Sequence, residues 1–412
     1  MTTTDQGTDT PLSLYQLLDP DVLADPYPLY HRLRSRDPVM WDPYLHAWVV
    51  TRYDDVATVF RKFSADRSPK PEYFEALGVP EVAPAARMMV RQMLFMEGPG
   101  HVRLRRLAGA AFQPAKVATL QPHIEEIADR LIDDILARGP GPVDLLADFA
   151  EPLPAMVTTE LLGVPVEHHV DLKDWSVTFG GMLGNFQHNP DLLGNALVAV
   201  ENLSAYFRDA IAQQRRNPRP GLIGDLLDAG VEGDRLTDEE IIANVILTMV
   251  GGLETTTNLI ATGMLTLLRN PVARRRLTAE PAVMPAAVEE LLRYESPSQQ
   301  TARLARDDVE LGGKQIRKGQ AVIAVMAAGN RDPERFPDPD RLDFDRPDNR
   351  HLAFGWAAHF CFGAPLTRLE AAVSFRALLD RLPGLELVDE PLVWRDNLGL
   401  RGLTSLPMRL SS

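Results

Sequence analysis

The stretch TDEEIIANVILTMVGGLETTTNLIATGMLTLLRNP, Thr237 to Pro271, constrains the fold more than any other part of the chain. Apolar residues cover nearly its whole circumference, so a helix here has to be buried on every side. Thr237 and Glu240 stand at capping-box spacing and predict its start, and Arg269-Asn270-Pro271 predicts its end. A membrane-spanning reading fails, because Asn244, Glu254 and Asn258 interrupt the run before about 18 apolar residues accumulate. Other elements must therefore wrap this helix. Its middle is unusual. Gly251-Gly252 costs about 1 kcal/mol of helix propensity per glycine relative to alanine. Glu254 then adds a carboxylate where burial is expensive without a partner. A packing notch with a satisfied acid accounts for both features, and so does a site.

The remainder supplies the wrapping. HIEEIADRLIDDILA, SAYFRDAIAQQRR, AAVEELLRYE and LTRLEAAVSFRALLDRL all carry amphipathic helical periodicity. Strand signals are few: VMWDPYLHAWVVT predicts a hairpin about Asp42-Pro43, and GGKQIRKGQAVIAVM a second about Lys318-Gly319. The expected class is mainly α with a minor β part, one domain over 21–412 behind a polar, flexible tail at 1–20. An apolar fraction of 45% is ample for such a core. Acidic residues outnumber basic ones, 57 to 43, and the net charge of −14 argues against general nucleic-acid binding. The opening MTTTDQGTDT lacks the basic and apolar regions of a signal peptide, and a single cysteine cannot close an intramolecular disulfide. The expected location is the cytoplasm.

That single cysteine, Cys361, lies in HLAFGWAAHFCFGAPLTRLE. Four readings compete: a small buried hydrophobe, a zinc ligand, a catalytic thiol, or a thiolate to haem iron. Composition favours the first. No second cysteine or His/Cys cluster supports zinc, while His359 keeps a reactive thiol open. Local residues favour the fourth. Phe360 and Phe362 give the sulfur apolar surroundings, and Gly355 and Gly363 remove side chains where a flat cofactor would approach. Pro365 opens a helix over Leu366 to Leu382, whose N-terminal amides favour an anion.

FGWAAHFCFG followed by LTRLE resembles the haem-binding loop of the cytochrome P450 monooxygenases. GGLETTT resembles that family's oxygen-binding groove, EELLR its Glu-x-x-Arg pair, and NRDPERFPDPDRLDFDR the segment leading to the haem loop. HVRLRR resembles the propionate-binding helix and LRGLTSLP the C-terminal β turn. The likeness runs from DPDVLADPYPLYHRLR to the C-terminus. It implies haem b buried between the long helix and the cysteine loop, with Cys361 as axial metal ligand. It further implies that His101, Arg105, Gly251, Gly252, Arg303, Phe354, His359 and Gly363 contact the cofactor. Glu254 and Thr255 are the implied acid–alcohol pair that delivers protons to dioxygen. Glu290 and Arg293 are implied to be structural, in a buried network tied to Arg346 or its neighbours. Ala357 departs from the family, which usually has glycine there. An alanine is expected to avoid left-handed backbone angles, which cost about 1 kcal/mol, so a differently shaped turn is expected. Thr367 stands where alanine is common.

For the substrate, APAARMMVRQMLFM (Ala83 to Met96) and FGGMLGNFQ (Phe179 to Gln187) are the expected lids. Met89, Phe179, Leu247, Val250, Gln299 and Leu400 are expected to line a roomy apolar pocket. The implied activity is hydroxylation or epoxidation of a lipophilic small molecule, as in natural-product biosynthesis. Electrons are expected from a ferredoxin and ferredoxin reductase, because no flavin domain is present; Arg103, Arg106 and Arg368 are the expected docking charges. A monomer without a membrane anchor is expected. The alternatives are a peroxide-driven haem oxygenase, which the Glu254-Thr255 pair argues against, and a non-catalytic haem-binding sensor.

Overall fold

The computed structural model describes residues 12–67, 70–109, 112–181, 190–231 and 234–411. Six helices position the site: α1 (Gly98–Gly109), α2 (Pro152–Leu162), α3 (His169–Gly180), α4 (Asp238–Arg269), α5 (Met284–Tyr294) and α6 (Ala364–Arg381). Four strands, β1 (Val39–Asp42), β2 (Ala47–Val50), β3 (Thr301–Leu304) and β4 (Ala321–Ala324), form a mixed sheet in the order β1-β2-β4-β3. The fold is mainly helical with a minor β part.

The central helix α4 forms where the capping signals predict. Thr237 Oγ1 accepts from Glu240 N–H at 3.2 Å, and Thr237 N–H donates to Glu240 Oε2 at 2.8 Å, satisfying two otherwise orphaned donors. At the other end Asn270 is disfavoured from helical angles by Pro271, and its side-chain amide donates to Thr266 O at 2.8 Å. From Ile241 to Leu267 every residue is buried except Gly251, Gly252 and Thr255. Those three open onto an internal cavity. Helices α2, α3 and α6 pack around the rest. The crossing with α6 is close enough that a methyl group on Gly263 would lie 2.5 Å from the Phe375 ring.

Two expectations are corrected. The polar tail does not extend to residue 20: Ser13 caps a short helix, Leu14–Leu18, that buries Leu14 and Leu17. Ser13 Oγ also donates to the buried Asp42 carboxylate at 2.7 Å. Residues 1–11 lie outside the described residues. Nor does Lys318-Gly319 join paired strands. Lys314–Ile316 instead pairs back with Val309–Leu311 across Gly312-Gly313, both at positive φ (54° and 74°), which makes the tighter hairpin turn. The apolar Ala321–Ala324 is drawn to the middle of the mixed sheet, parallel to β2 and antiparallel to β3. No helix among the described residues is long and apolar enough to cross a membrane.

On α5, Glu290 and Arg293 are fully buried and joined by two bonds, Arg293 Nε to Glu290 Oε2 at 2.8 Å and Nη2 to Oε1 at 2.7 Å. Arg293 also donates to the carbonyls of Asn330 and Pro339, both at 2.8 Å. Glu290 accepts from Arg346, from Asn349 Nδ2 at 3.1 Å and from Asp343 N–H at 2.9 Å. The pair thus ties α5 to the irregular segment 330–349 that feeds the cysteine loop. Removing one partner strands a buried charge. Arg293→Ala should therefore lose about 3–5 kcal/mol of stability in urea unfolding, and Arg293→Lys should recover only part of it because lysine lacks the two-pronged donor. A loss below about 0.5 kcal/mol would show that the network does not hold this segment.

Candidate active site

The cavity opened by Gly251, Gly252 and Thr255 has a volume of about 560 Å³ and reaches Cys361 on the loop before α6. Cys361 N–H donates to Phe354 O at 2.8 Å, closing the loop on itself. The backbone N–H groups of Gly363 and Ala364 point at the sulfur, and Arg105 and Arg368 add positive charge nearby. These lower the thiol pKa, but burial outweighs them and raises it. A metal cation bound at the sulfur would reverse that balance and hold a thiolate. Gly363 leaves the approach open, since a methyl group there would sit 3.8 Å from the sulfur.

Ala357 corrects an expectation. Its φ is 60°, left-handed, so the turn keeps the glycine-type shape and the alanine carries the strain. Phe360 N–H still donates to Ala357 O at 3.1 Å.

A rim of basic groups faces the cavity with one acid nearby among the described residues, Glu97, whose Oε1 lies 3.7 Å from His359 Nε2. Arg303 is only 3% exposed, and among the described residues its guanidinium donates to Thr301 Oγ1 and Ala302 O. Burial pulls its pKa down to about 9. His101 is buried with no partner on Nε2 and stacks on His359 at 4.1 Å. Burial, together with the neighbouring His101, Arg303 and Arg105, brings His359 down to about 4; Glu97 opposes this. Arg105 reaches the carbonyl of Phe360. A buried sulfur served by two amides, and a rim of nitrogen donors whose one nearby acid is Glu97, 3.7 Å from His359 Nε2, fit haem: the sulfur would hold the iron, and His101, Arg105, Arg303 and His359 would hold the propionates. Phe354 lines the same space, while Arg368 stacks 4.6 Å above its ring.

On the central helix, Thr255 lines the cavity and its hydroxyl donates to Gly251 O at 2.6 Å. Glu254 is buried but turns away from the cavity. A methyl group on Gly180 of α3 would lie 3.2 Å from its Oε2. Its Oε1 lies 3.9 Å from Arg395 Nη1, and Arg395 pairs with Glu151 at 2.6 Å, which pairs in turn with Lys173 at 3.2 Å. Burial raises the Glu254 pKa; Arg395 opposes this and Glu151 adds to it.

Of the expected pocket residues, Met89, Leu247, Val250 and Leu400 line the cavity. Phe179 and Gln299 do not. Phe179 is core, with its neighbour Gly180 at the cavity wall. Gln299 is held away by Tyr30 Oη, which donates to it at 2.9 Å, and by its own bond to Ser296 O at 2.6 Å; Gln300 lines the cavity instead. The second expected lid lies outside the described residues from 182 to 187. Two cavity residues carry no sequence signal for a site: Arg67 has no partner at helical spacing to mark it, and Glu370 reads as one more polar position of an amphipathic helix. Glu370 lines the cavity from α6, and burial pushes its pKa well above the ordinary carboxylate value. Among the expected docking arginines, Arg103 pairs with Glu240 at 2.7 Å and Arg368 with Glu289 at 2.6 Å, while Arg106 is exposed.

The strain at Ala357 is testable by ordering three residues. Ala357→Gly should be more stable than the parent by about 0.5 kcal/mol, the relief of left-handed strain less the entropy glycine brings to the unfolded chain. Ala357→Val should be less stable by about 1 kcal/mol, because β-branched residues tolerate positive φ worst. Thermal unfolding of the haem-loaded proteins gives the order, and a glycine variant less stable than the valine variant would contradict the left-handed turn.

The comparisons agree with this geometry. The family model described as Cytochrome P450 matches residues 41–383. Over 392 residues the chain is 36% identical to the biotin biosynthesis cytochrome P450 of Bacillus subtilis (strain 168), covering 94% of this chain and 97% of that one. It is 39% identical to the cytochrome P450 monooxygenase PikC of Streptomyces venezuelae, covering 99% and 97%. Among solved structures, P450BioI in complex with hexadec-9Z-enoic acid ligated acyl carrier protein matches with a TM-score of 0.89 at 34% identity, covering 95% of this chain and 99% of that one. With a P450 fold, haem b as cofactor and Cys361 as its thiolate ligand, the chain belongs to the cytochrome P450 family of monooxygenases.

Proposed function

We propose that this monooxygenase hydroxylates or epoxidises a lipophilic small molecule in natural-product biosynthesis, with electrons supplied one at a time by a ferredoxin and its reductase. The apolar lining, with Met89, Met93, Leu94, Phe95, Leu247 and Val250, supports a lipophilic substrate. Relatives named for such work support the setting: the polyketide biosynthesis cytochrome P450 PksS of Bacillus subtilis (strain 168) at 35% identity, covering 94% of this chain and 96% of that one, and the mycinamicin IV hydroxylase/epoxidase of Micromonospora griseorubida at 39% identity, covering 92% and 94%. Exposed Arg106 supports attraction of an acidic carrier to the cysteine side despite the net negative charge.

The observation that carries the reading is Thr255, a hydroxyl on the cavity next to an acid linked to the surface. Haem bound through Cys361 supplies dioxygen activation; this chain supplies binding, exclusion of water and protons. One oxygen atom enters the product and the other leaves as water, which takes two protons and two electrons. Thr255 Oγ1 gives its own hydrogen to Gly251 O in the resting arrangement, so it is free to accept from a water. Rotation away from that carbonyl lets it donate towards the cavity. Glu254 moves protons inward: its raised pKa suits reversible protonation, and Arg395, Glu151 and Lys173 form the polar path behind it.

Thr255→Ala should leave haem, substrate and dioxygen binding intact but lower product per reduced nicotinamide consumed, with hydrogen peroxide rising in compensation. Positioned proton transfer contributes about 10²–10⁴-fold, so the loss should stand far outside scatter. Glu254→Gln should instead slow total turnover, because the path is cut before the hydroxyl. Parental coupling in Thr255→Ala would remove this role from Thr255. Turnover with peroxide alone would favour the peroxide-driven alternative.

A further inference from the structure

The cavity rim carries more positive charge than the cofactor neutralises. Haem b brings two propionate carboxylates, while the porphyrin dianion and the Cys361 thiolate together balance a ferric iron. Against those two negative charges, three guanidinium groups line the cavity: Arg67, Arg105 and Arg303. His101 and His359 line the same rim and add further nitrogen donors to it. Glu97, 3.7 Å from His359 Nε2, spends its one negative charge on Arg306 outside the rim and also accepts from Ala65 N–H at 2.6 Å. One positive charge is left over.

Arg67 is the group that stands apart. Among the described residues its guanidinium makes one hydrogen bond, Nη1 to Ala65 O, long at 3.4 Å. No carboxylate among the described residues offsets the burial that brings its pKa down to about 10. Protein surrounds it, yet it keeps accessible surface, and the cavity provides that surface. Arg303, by contrast, is closed in and repelled by Arg67. The guanidinium of Arg67 lies 5.0 Å over the ring of Phe95. Phe95 belongs to the expected first lid, whose Met89, Met93 and Leu94 line the same cavity. Arg67 therefore sits with the residues that cover the substrate, not with those that hold the sulfur. A desolvated cation with no partner is costly unless an anion arrives to meet it.

We propose that Arg67 is a substrate-anchoring residue that receives a carboxylate carried by the otherwise apolar substrate. The inference rests on the lipophilic-substrate reading above and narrows it to amphipathic acids. The planar guanidinium offers two parallel donors to a carboxylate, and the apolar lid beside it covers the chain that follows.

The test titrates the haem-loaded protein with dodecanoate and with methyl dodecanoate, following the shift of the haem band at fixed ionic strength. The parent should bind the acid at least 10-fold more tightly than the ester. Arg67→Gln should weaken acid binding about 10- to 100-fold, as loss of a charged hydrogen bond requires, and leave the ester unchanged. Arg67→Lys should keep part of the preference. Equal affinity for acid and ester in the parent overturns the proposal, as does an unchanged acid-to-ester ratio in Arg67→Gln. So does a fall in haem content in that variant with the ratio kept, which would make Arg67 a propionate ligand. A band shift with the ester in every protein would show that the lipophilic pocket stands even when the anion site fails, whereas no shift with either probe would count against both.

Discussion

A helix buried on all sides that must still face a reaction is the constraint from which this structure follows. Burial of α4 from Ile241 to Leu267 supplies the core, and it is interrupted at only three positions. Gly251 and Gly252 cost helix propensity at that point, and Thr255 leaves a hydroxyl partly uncovered. The stability given up there is offset by the packing of α2, α3 and α6 along the rest of the helix. Function sits where the helix is locally least well packed, and the close crossing at Gly263 and Phe375 keeps α6, and with it the cysteine loop, at a fixed distance.

Charge is handled in two ways in this fold. Behind the cysteine loop buried charges are paired: Glu290 meets Arg293 and Arg346 and accepts from Asn349, and Arg293 donates to the carbonyls of Asn330 and Pro339. Around the cavity the opposite holds. Arg67, Arg303 and His101 present donors with no acid paired to them, and the amides of Gly363 and Ala364 turn to the sulfur of Cys361. The first arrangement holds a loop in place, while the second leaves donors for the cofactor's propionates and, on the proposal made for Arg67, for the substrate.

Much of this was legible in the sequence because it rests on local signals. The capping box at Thr237, the paired glycines, the lone cysteine between phenylalanines and the Glu290–Arg293 spacing each have a meaning within a few residues. What was not legible depended on tertiary choice. Gln299 and Gln300 are adjacent and alternate across a chain, and tertiary bonds, that from Tyr30 far away in sequence among them, decide which faces the cavity. Strand Ala321–Ala324 was assigned to the wrong partner because its pairing is set by burial in the mixed sheet and not by the turn before it. Ala357 was expected to change the turn. The Cys361 N–H bond to Phe354 O and the Phe360 N–H bond to Ala357 O hold the turn instead, and the residue yields. Arg67 carried no local pattern at all.

The central claim is that Cys361 binds haem iron as a thiolate, and the carbon-monoxide complex of the reduced protein tests it most directly. Thiolate donation makes the iron electron-rich and moves the absorption band to the wavelength for which the family is named. The account predicts that band for the parent and its loss in Cys361→His with haem still bound, because imidazole donates less charge. A parent without the band, or a histidine variant that keeps it, would contradict the assignment of the ligand on which every other role described for this site depends.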